Sequence, residues 1–154
     1  MRRRLLGLAV ILLAMPAASA RAQKPISLWL GAGRAVTADS IDFSLKNLDA
    51  YGALQLDIPL LPVALRADVS FAGGDVQKGT RNVTASAVLP LRLPVLQPYA
   101  IAGYGIYDYG KPGEKRGISY GAGVRLQATG LGLFVQARRH RVLGGTIGTV
   151  GIIF

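Results

Sequence analysis

The stretch LDAYGALQLDIPLLPVALRADVSFA, residues 48–72, decides the fold. Leu48, Ala50, Gly52, Leu54, Leu56 and Ile58 share one parity, and Asp49, Tyr51, Ala53, Gln55 and Asp57 the other. After Pro59-Leu60-Leu61-Pro62 the alternation resumes, with Val63, Leu65, Ala67, Val69 and Phe71 opposing Ala64, Arg66, Asp68, Ser70 and Ala72. A period of two belongs to a strand, whose successive side chains point to opposite faces. One face is wholly apolar and the other carries charges of both signs in mid-strand. Two such strands about a proline-bounded turn form a hairpin.

The same pattern extends through the chain with less contrast. Strands are predicted over 26–34, 48–58, 63–72, 80–89, 99–109, 118–127, 131–141 and 146–154. Each is about 9–11 residues, the length a tilted strand needs to cross a bilayer. Ile118, Tyr120, Ala122, Val124 and Leu126 oppose Arg125 and Gln127; Leu131, Leu133, Val135 and Ala137 oppose Gln136, Arg138 and His140. Connections at 59–62, 90–97 and 128–130 are short or rich in Pro and Gly, whereas those at 35–47, 73–79 and 110–117 are longer and more polar. Short turns at one end and longer loops at the other describe an up-and-down barrel. Ile41-Asp42-Phe43-Ser44-Leu45-Lys46 also alternates and could extend the second strand through a bulge near Asn47.

Ahead of these strands, Arg2-Arg3-Arg4 precede an apolar run from Leu5 to Met15, and Pro16-Ala17-Ala18-Ser19-Ala20-Arg21-Ala22 follows. A basic start, a short apolar stretch and small residues at a cleavage point make a secretory signal peptide over 1–22, cut after Ala22 or alternatively after Ala20. The domain expected in the exported protein is then 23–154. Loss of Arg2, Arg3, Arg4 and Arg21 lowers the formal charge from +10 to +6. With 51% hydrophobic residues the chain is no disordered tail, and with no cysteine it holds no disulfide, thiol nucleophile or Cys-based zinc site.

The chain resembles the small eight-stranded outer-membrane β-barrels, the OmpA/OmpX-like class. The resemblance rests on the signal peptide, the eight alternating segments, Pro98-Tyr99-Ala100-Ile101-Ala102-Gly103-Tyr104-Gly105 and the ending Gly148-Thr149-Val150-Gly151-Ile152-Ile153-Phe154. It implies an all-β, eight-stranded antiparallel transmembrane barrel in the cell outer membrane, surrounded by lipid and lipopolysaccharide. It also implies that Val150, Ile152 and Phe154 are the signal read by the barrel-assembly machinery, with periplasmic chaperones as partners during biogenesis and a monomer as the product. Aromatics near strand ends (Trp29, Tyr99, Tyr107, Tyr109, Phe154) fit interfacial girdles.

The polar parity should then line a narrow lumen filled by side chains. Asp57, Arg66, Asp68, Arg125 and Arg138 are expected to form a charge network there, since buried charges need partners. If residues 59–62 form the turn, Asp57 faces Ala64 and Arg66 lies diagonal to Asp57, within reach of an ion pair. Lys78, Arg81, Lys111, Lys115 and Arg116 fall near predicted external ends and are candidate lipopolysaccharide contacts.

Other chemistry finds little support. Gly105 to Lys111 has the spacing of a phosphate-binding loop, but Pro112 stands where Ser or Thr is needed and no helix follows. His140, the sole histidine, sits among Arg138, Arg139 and Arg141, and neither Ser70 nor Ser119 makes a recognisable motif with it. A lipid A-modifying enzyme is therefore a minor reading, and nucleic-acid binding is excluded by cations that line no single helix or aromatic platform. No catalysis and no cofactor are expected. The sequence points to a structural or interaction protein acting through its external loops, with a secreted or periplasmic barrel for a small ligand or lipid as the alternative.

Overall fold

In a computed structural model, residues 25–36, 48–72, 80–127 and 131–154 are described. The strands are β1 (Ile26–Val36), β2 (Asp49–Asp57), β3 (Ala64–Ala72), β4 (Thr80–Pro90), β5 (Leu96–Tyr107), β6 (Lys115–Gln127), β7 (Gly132–His140) and β8 (Gly145–Ile153). Each pairs antiparallel with its sequence neighbour, and β1 pairs with β8 to close the barrel. Closure leaves no strand edge unpaired, which is what a sheet surrounded by hydrocarbon requires. The expected signal peptide, the alternating segment 41–46 and Lys78 lie outside the described residues.

The β2–β3 register is the one the turn dictates: Asp57 pairs with Ala64, Gln55 with Arg66 and Ala53 with Asp68. Leu60 at the tip adopts a left-handed φ of 70°, and the Leu61 amide donates to the Ile58 carbonyl at 3.3 Å. One end of the barrel, here the turn end, holds the start of β1, the ends of β2, β4, β6 and β8, and the starts of β3, β5 and β7. The other, the loop end, holds the ends of β1, β3, β5 and β7 and the starts of β2, β4, β6 and β8.

Two strand starts lie three residues from expectation, and the other boundaries agree within two. β5 begins at Leu96 and β6 at Lys115, each three residues earlier than predicted, because the two pair continuously from Leu96↔Leu126 to Tyr107↔Lys115. At the start of β5, Leu96 already faces outward and Gln97 inward, whereas β6 begins with the charged Lys115 and Arg116, beyond the apolar part of the wall.

The outer wall is apolar and the inside is polar. Leu54, Leu65, Leu133, Val135 and Val150 are at least half exposed, whereas Gln55, Arg66, Asp68, Arg125, Gln136 and Arg138 are buried. In water such a wall would be a liability, as soluble proteins seldom expose large contiguous apolar patches.

The sequence reading placed Trp29, Tyr99 and Tyr107 in interfacial girdles, and this is corrected. Their side chains are buried in the lumen, at 0%, 4% and 0% exposure. Parity decides over position along the strand: Trp29 opposes Leu28 and Leu30, which point outward. Tyr109 and Phe154 are exposed, as are Tyr104, Tyr120 and Phe71.

Candidate functional site

The lumen holds a stack of polar layers. Nearest the turn end, Arg125 Nε donates to Gln97 Oε1 at 2.7 Å, and Gln97 Nε2 donates to the Leu93 carbonyl. Arg125 Nη1 stands 3.8 Å from Asp57 Oδ2, a loose pair that leaves Asp57 Oδ1 and Arg125 Nη2 without hydrogen-bond partners.

The next layer centres on Arg66, whose guanidinium lies over the Trp29 ring at 3.8 Å and 5.1 Å from that of Tyr99. Its Nε and Nη2 both donate to Gln55 Oε1, at 3.0 and 2.6 Å, and its Nη1 donates to Gln136 Oε1 at 3.1 Å. The Tyr99 hydroxyl donates to the same Gln136 oxygen. Arg66 therefore does not pair with Asp57, contrary to expectation. Gln55 stands between them, accepting from Arg66 and donating from Nε2 to Asp57 Oδ2 at 3.0 Å. The reason is register: Gln55 is directly opposite Arg66, and Asp57 only diagonal.

The third layer is ionic. Arg138 Nη1 donates to Asp68 Oδ2 at 2.9 Å, Nη2 to Ser86 Oγ at 2.6 Å and Nε to Ser119 Oγ at 3.0 Å. At the loop end, the Tyr107 hydroxyl and His140 Nδ1 share a hydrogen bond of 2.9 Å, with the rings edge to face.

Glycines make room for these layers. A Cβ on Gly123 would meet the Tyr99 ring at 2.5 Å, and one on Gly31 would meet the Phe134 ring at 3.0 Å and the Val150 carbonyl at 2.6 Å. Gly31 and Gly123 thus lie against lumen aromatics and neighbouring backbone, an approach a side chain would prevent.

Among the described residues, the buried charges are Arg66, Arg125 and Arg138 with Asp49, Asp57 and Asp68. Among these residues the formal charges balance, three cations to three anions. Asp49 and the amide and hydroxyl partners (Gln55, Gln97, Gln136, Ser86, Ser119) had no assigned role in the sequence reading. Lumen parity is their only signal, and Gln97 lies in a segment expected to be a connection.

Ser119 pairs across the ladder with His140, a proximity the sequence did not reveal. Both are buried toward the lumen; Ser119 Oγ accepts from Arg138, and Tyr107 occupies His140 Nδ1. The Gly105–Lys111 segment is strand followed by turn, with Asp108 and Gly110 at positive φ. Among the described residues no three His, Asp or Glu side chains gather into a metal site.

Arg81, Lys115 and Arg116 are exposed at the loop end, and Lys111 is half-buried there. Arg116 is paired with Glu114 at 3.1 Å. At the end of the chain, Phe154 exchanges two backbone hydrogen bonds with Leu28, at 2.9 and 3.2 Å, extending the closing seam, and Val150, Ile152 and Phe154 follow the outward parity.

Among solved structures, the crystal structure of Neisserial surface protein A (NspA) is similar, with a TM-score of 0.51 and 14% identity over 83% of this chain and 94% of that one. The fold is that of a small eight-stranded transmembrane barrel. At this identity the likeness carries the fold alone. A mutant Rh. blastica porin is matched with a TM-score of 0.24 and 19% identity, over 86% of this chain and 52% of the porin, and bears on nothing here. No family model and no curated protein matches the chain.

Proposed function

We propose that this protein is an integral outer-membrane β-barrel of structural or interaction type, a monomer that neither conducts solutes as a general porin nor catalyses a reaction. The observation that carries this reading is the inverted polarity: an apolar wall around a lumen closed by buried, hydrogen-bonded arginines. A barrel for apolar cargo would need the reverse, an interior of apolar walls with room for a ligand. Eight strands leave space only for side chains, and here side chains take it. Specific contacts then fall to the loop end and to the outer wall near it, with outer-leaflet lipid and lipopolysaccharide as the nearest partners.

Biogenesis would follow from both chain ends. Export through residues 1–22 predicts a mature start at Gln23, which mass spectrometry of the envelope protein reads directly; intact Met1 there refutes it. With Val150, Ile152 and Phe154 as the assembly signal, Phe154→Ser should leave unfolded protein with periplasmic chaperones instead of in the membrane.

The deciding experiment is membrane fractionation followed by gel mobility with and without heating. An outer-membrane band that migrates faster unheated supports the proposal, and a soluble protein without a heat shift ends it. Planar-bilayer recording should show no stepwise conductance.

A further inference from the structure

The wall of the barrel is not uniform from end to end. On the outward parity, among the described residues, every strand arginine lies within three residues of the loop end of its strand: Arg34 in β1, Arg81 in β4, Arg116 in β6 and Arg139 in β7. At the turn end the outward strand positions are Ile26, Leu56, Leu65, Leu89, Leu96, Leu126, Leu133 and Ile152, with no charge among them.

The cations are densest on β6 and β7. Arg139 pairs across the ladder with Tyr120 on one side and Thr146 on the other. The Arg141 amide donates to the Ile118 carbonyl, which sets Arg141 one outward position beyond Arg139 and beside Ile118, next to Arg116. Two residues along a strand is roughly 6.7 Å, so Arg139 and Arg141 can grip one tetrahedral anion or two neighbouring ones. Tyr120 is exposed and offers an amphipathic ring at the level where hydrocarbon gives way to head groups. Among the described residues, Glu114 reaches Arg116, while Arg139 and Arg141 make no ion pair.

We propose that the outer wall of β6–β7 at the loop end, with Arg116, Arg139 and Arg141 around Tyr120, docks the phosphate groups of lipopolysaccharide in the surrounding leaflet. This rests on the outer-membrane reading above and deepens it. An arginine on a lipid-facing wall is costly at the bilayer centre and tolerated at its edge, and a phosphate there supplies a bidentate, charge-assisted partner. The outward strand positions of the turn end carry no charge, and Arg92 in the β4–β5 turn donates to the Leu61 carbonyl, so the arginine patch belongs to one leaflet. Of the cations expected from the sequence to meet lipopolysaccharide (Lys78, Arg81, Lys111, Lys115 and Arg116), this patch includes Arg116.

The test uses the folded mature barrel in zwitterionic mixed micelles, titrated with lipopolysaccharide, with phosphatase-treated lipopolysaccharide and with phosphatidylglycerol. The variants are R139Q/R141Q and, at the opposite end, R92Q. Each cation near an anionic surface is worth about 1 kcal/mol, so R139Q/R141Q should weaken binding of the phosphorylated glycolipid about thirtyfold. R92Q and removal of the phosphates test specificity: the first should leave binding unchanged, and the second should abolish the arginine dependence. Equal binding by R139Q/R141Q and the native chain, an equal loss in R92Q, or the same arginine-dependent affinity for phosphatidylglycerol overturns the site. Heat-modifiable mobility of every variant separates loss of binding from loss of folding. If R139Q/R141Q does not fold, R139K/R141K, which keeps the charge and loses the planar fork, should bind several-fold more weakly than native, and unchanged affinity overturns the proposal. A native chain that never inserts into bilayers overturns the membrane reading itself.

Discussion

Arg66 and Arg138 are equally buried in one lumen, yet they are neutralised in different ways. Arg138 meets a carboxylate directly, at 2.9 Å from Asp68, with Ser86 and Ser119 taking its other donors. Arg66 meets no carboxylate; it lies on Trp29 and donates to two glutamine oxygens. In the turn half Arg66 is thus solvated by amides and aromatic faces, and in the loop half Arg138 by an opposite charge. A buried charge does not demand a counter-ion if enough oriented dipoles surround it, although removing its surroundings is costly either way.

The comparison predicts unequal damage. Arg138→Met should leave Asp68 buried without its cation and cost about 3–5 kcal/mol, measured by urea unfolding in lipid vesicles. Adding Asp68→Leu should restore much of that loss; a double variant as unstable as the single would show that Asp68 is solvated by other means. Arg66→Met strands only neutral amide oxygens and forfeits the ring contact, so about 2 kcal/mol is expected. Losses of equal size at 66 and 138 would break the distinction.

Double-mutant cycles sharpen it further. Gln55 and Arg66 should couple by about 1.5 kcal/mol, as expected of a hydrogen bond to a charged group. Asp57 and Arg66, linked only through Gln55, should couple by less, about 0.5 kcal/mol. The reverse order would restore the direct ion pair anticipated from the sequence. A smaller loss than at Arg66 belongs to the loop end: Tyr107→Phe removes the bond to His140 and should cost about 1 kcal/mol, with the His140 ring resonances shifting in NMR spectra of the folded barrel.

Much of this was legible in residues 48–72. The alternation of Leu54 and Leu56 with Gln55 and Asp57 determines which side chains face outward, because strand parity is a local property. The proline-bounded turn at 59–62 determines the Asp57↔Ala64 register, because a short connection leaves the strands no room to slip. Recurrence of the pattern in eight segments, behind a signal-peptide layout, was enough to anticipate a barrel with polar contents.

What the sequence by itself could not determine is who meets whom across the lumen. Asp68 and Arg138 are 70 residues apart, and so are Arg66 and Gln136. Their contact depends on closure between β1 and β8 and on how the strands stagger around the barrel, both set by the summed register of every hairpin. Trp29 shows the same limit: its parity was readable, but its place as a platform under Arg66 was not. Ser119 and His140 became neighbours only through the β6–β7 register, and it is tertiary structure that commits each to another partner. Alternation is written in each strand separately, whereas pairing across a closed sheet belongs to all of them together.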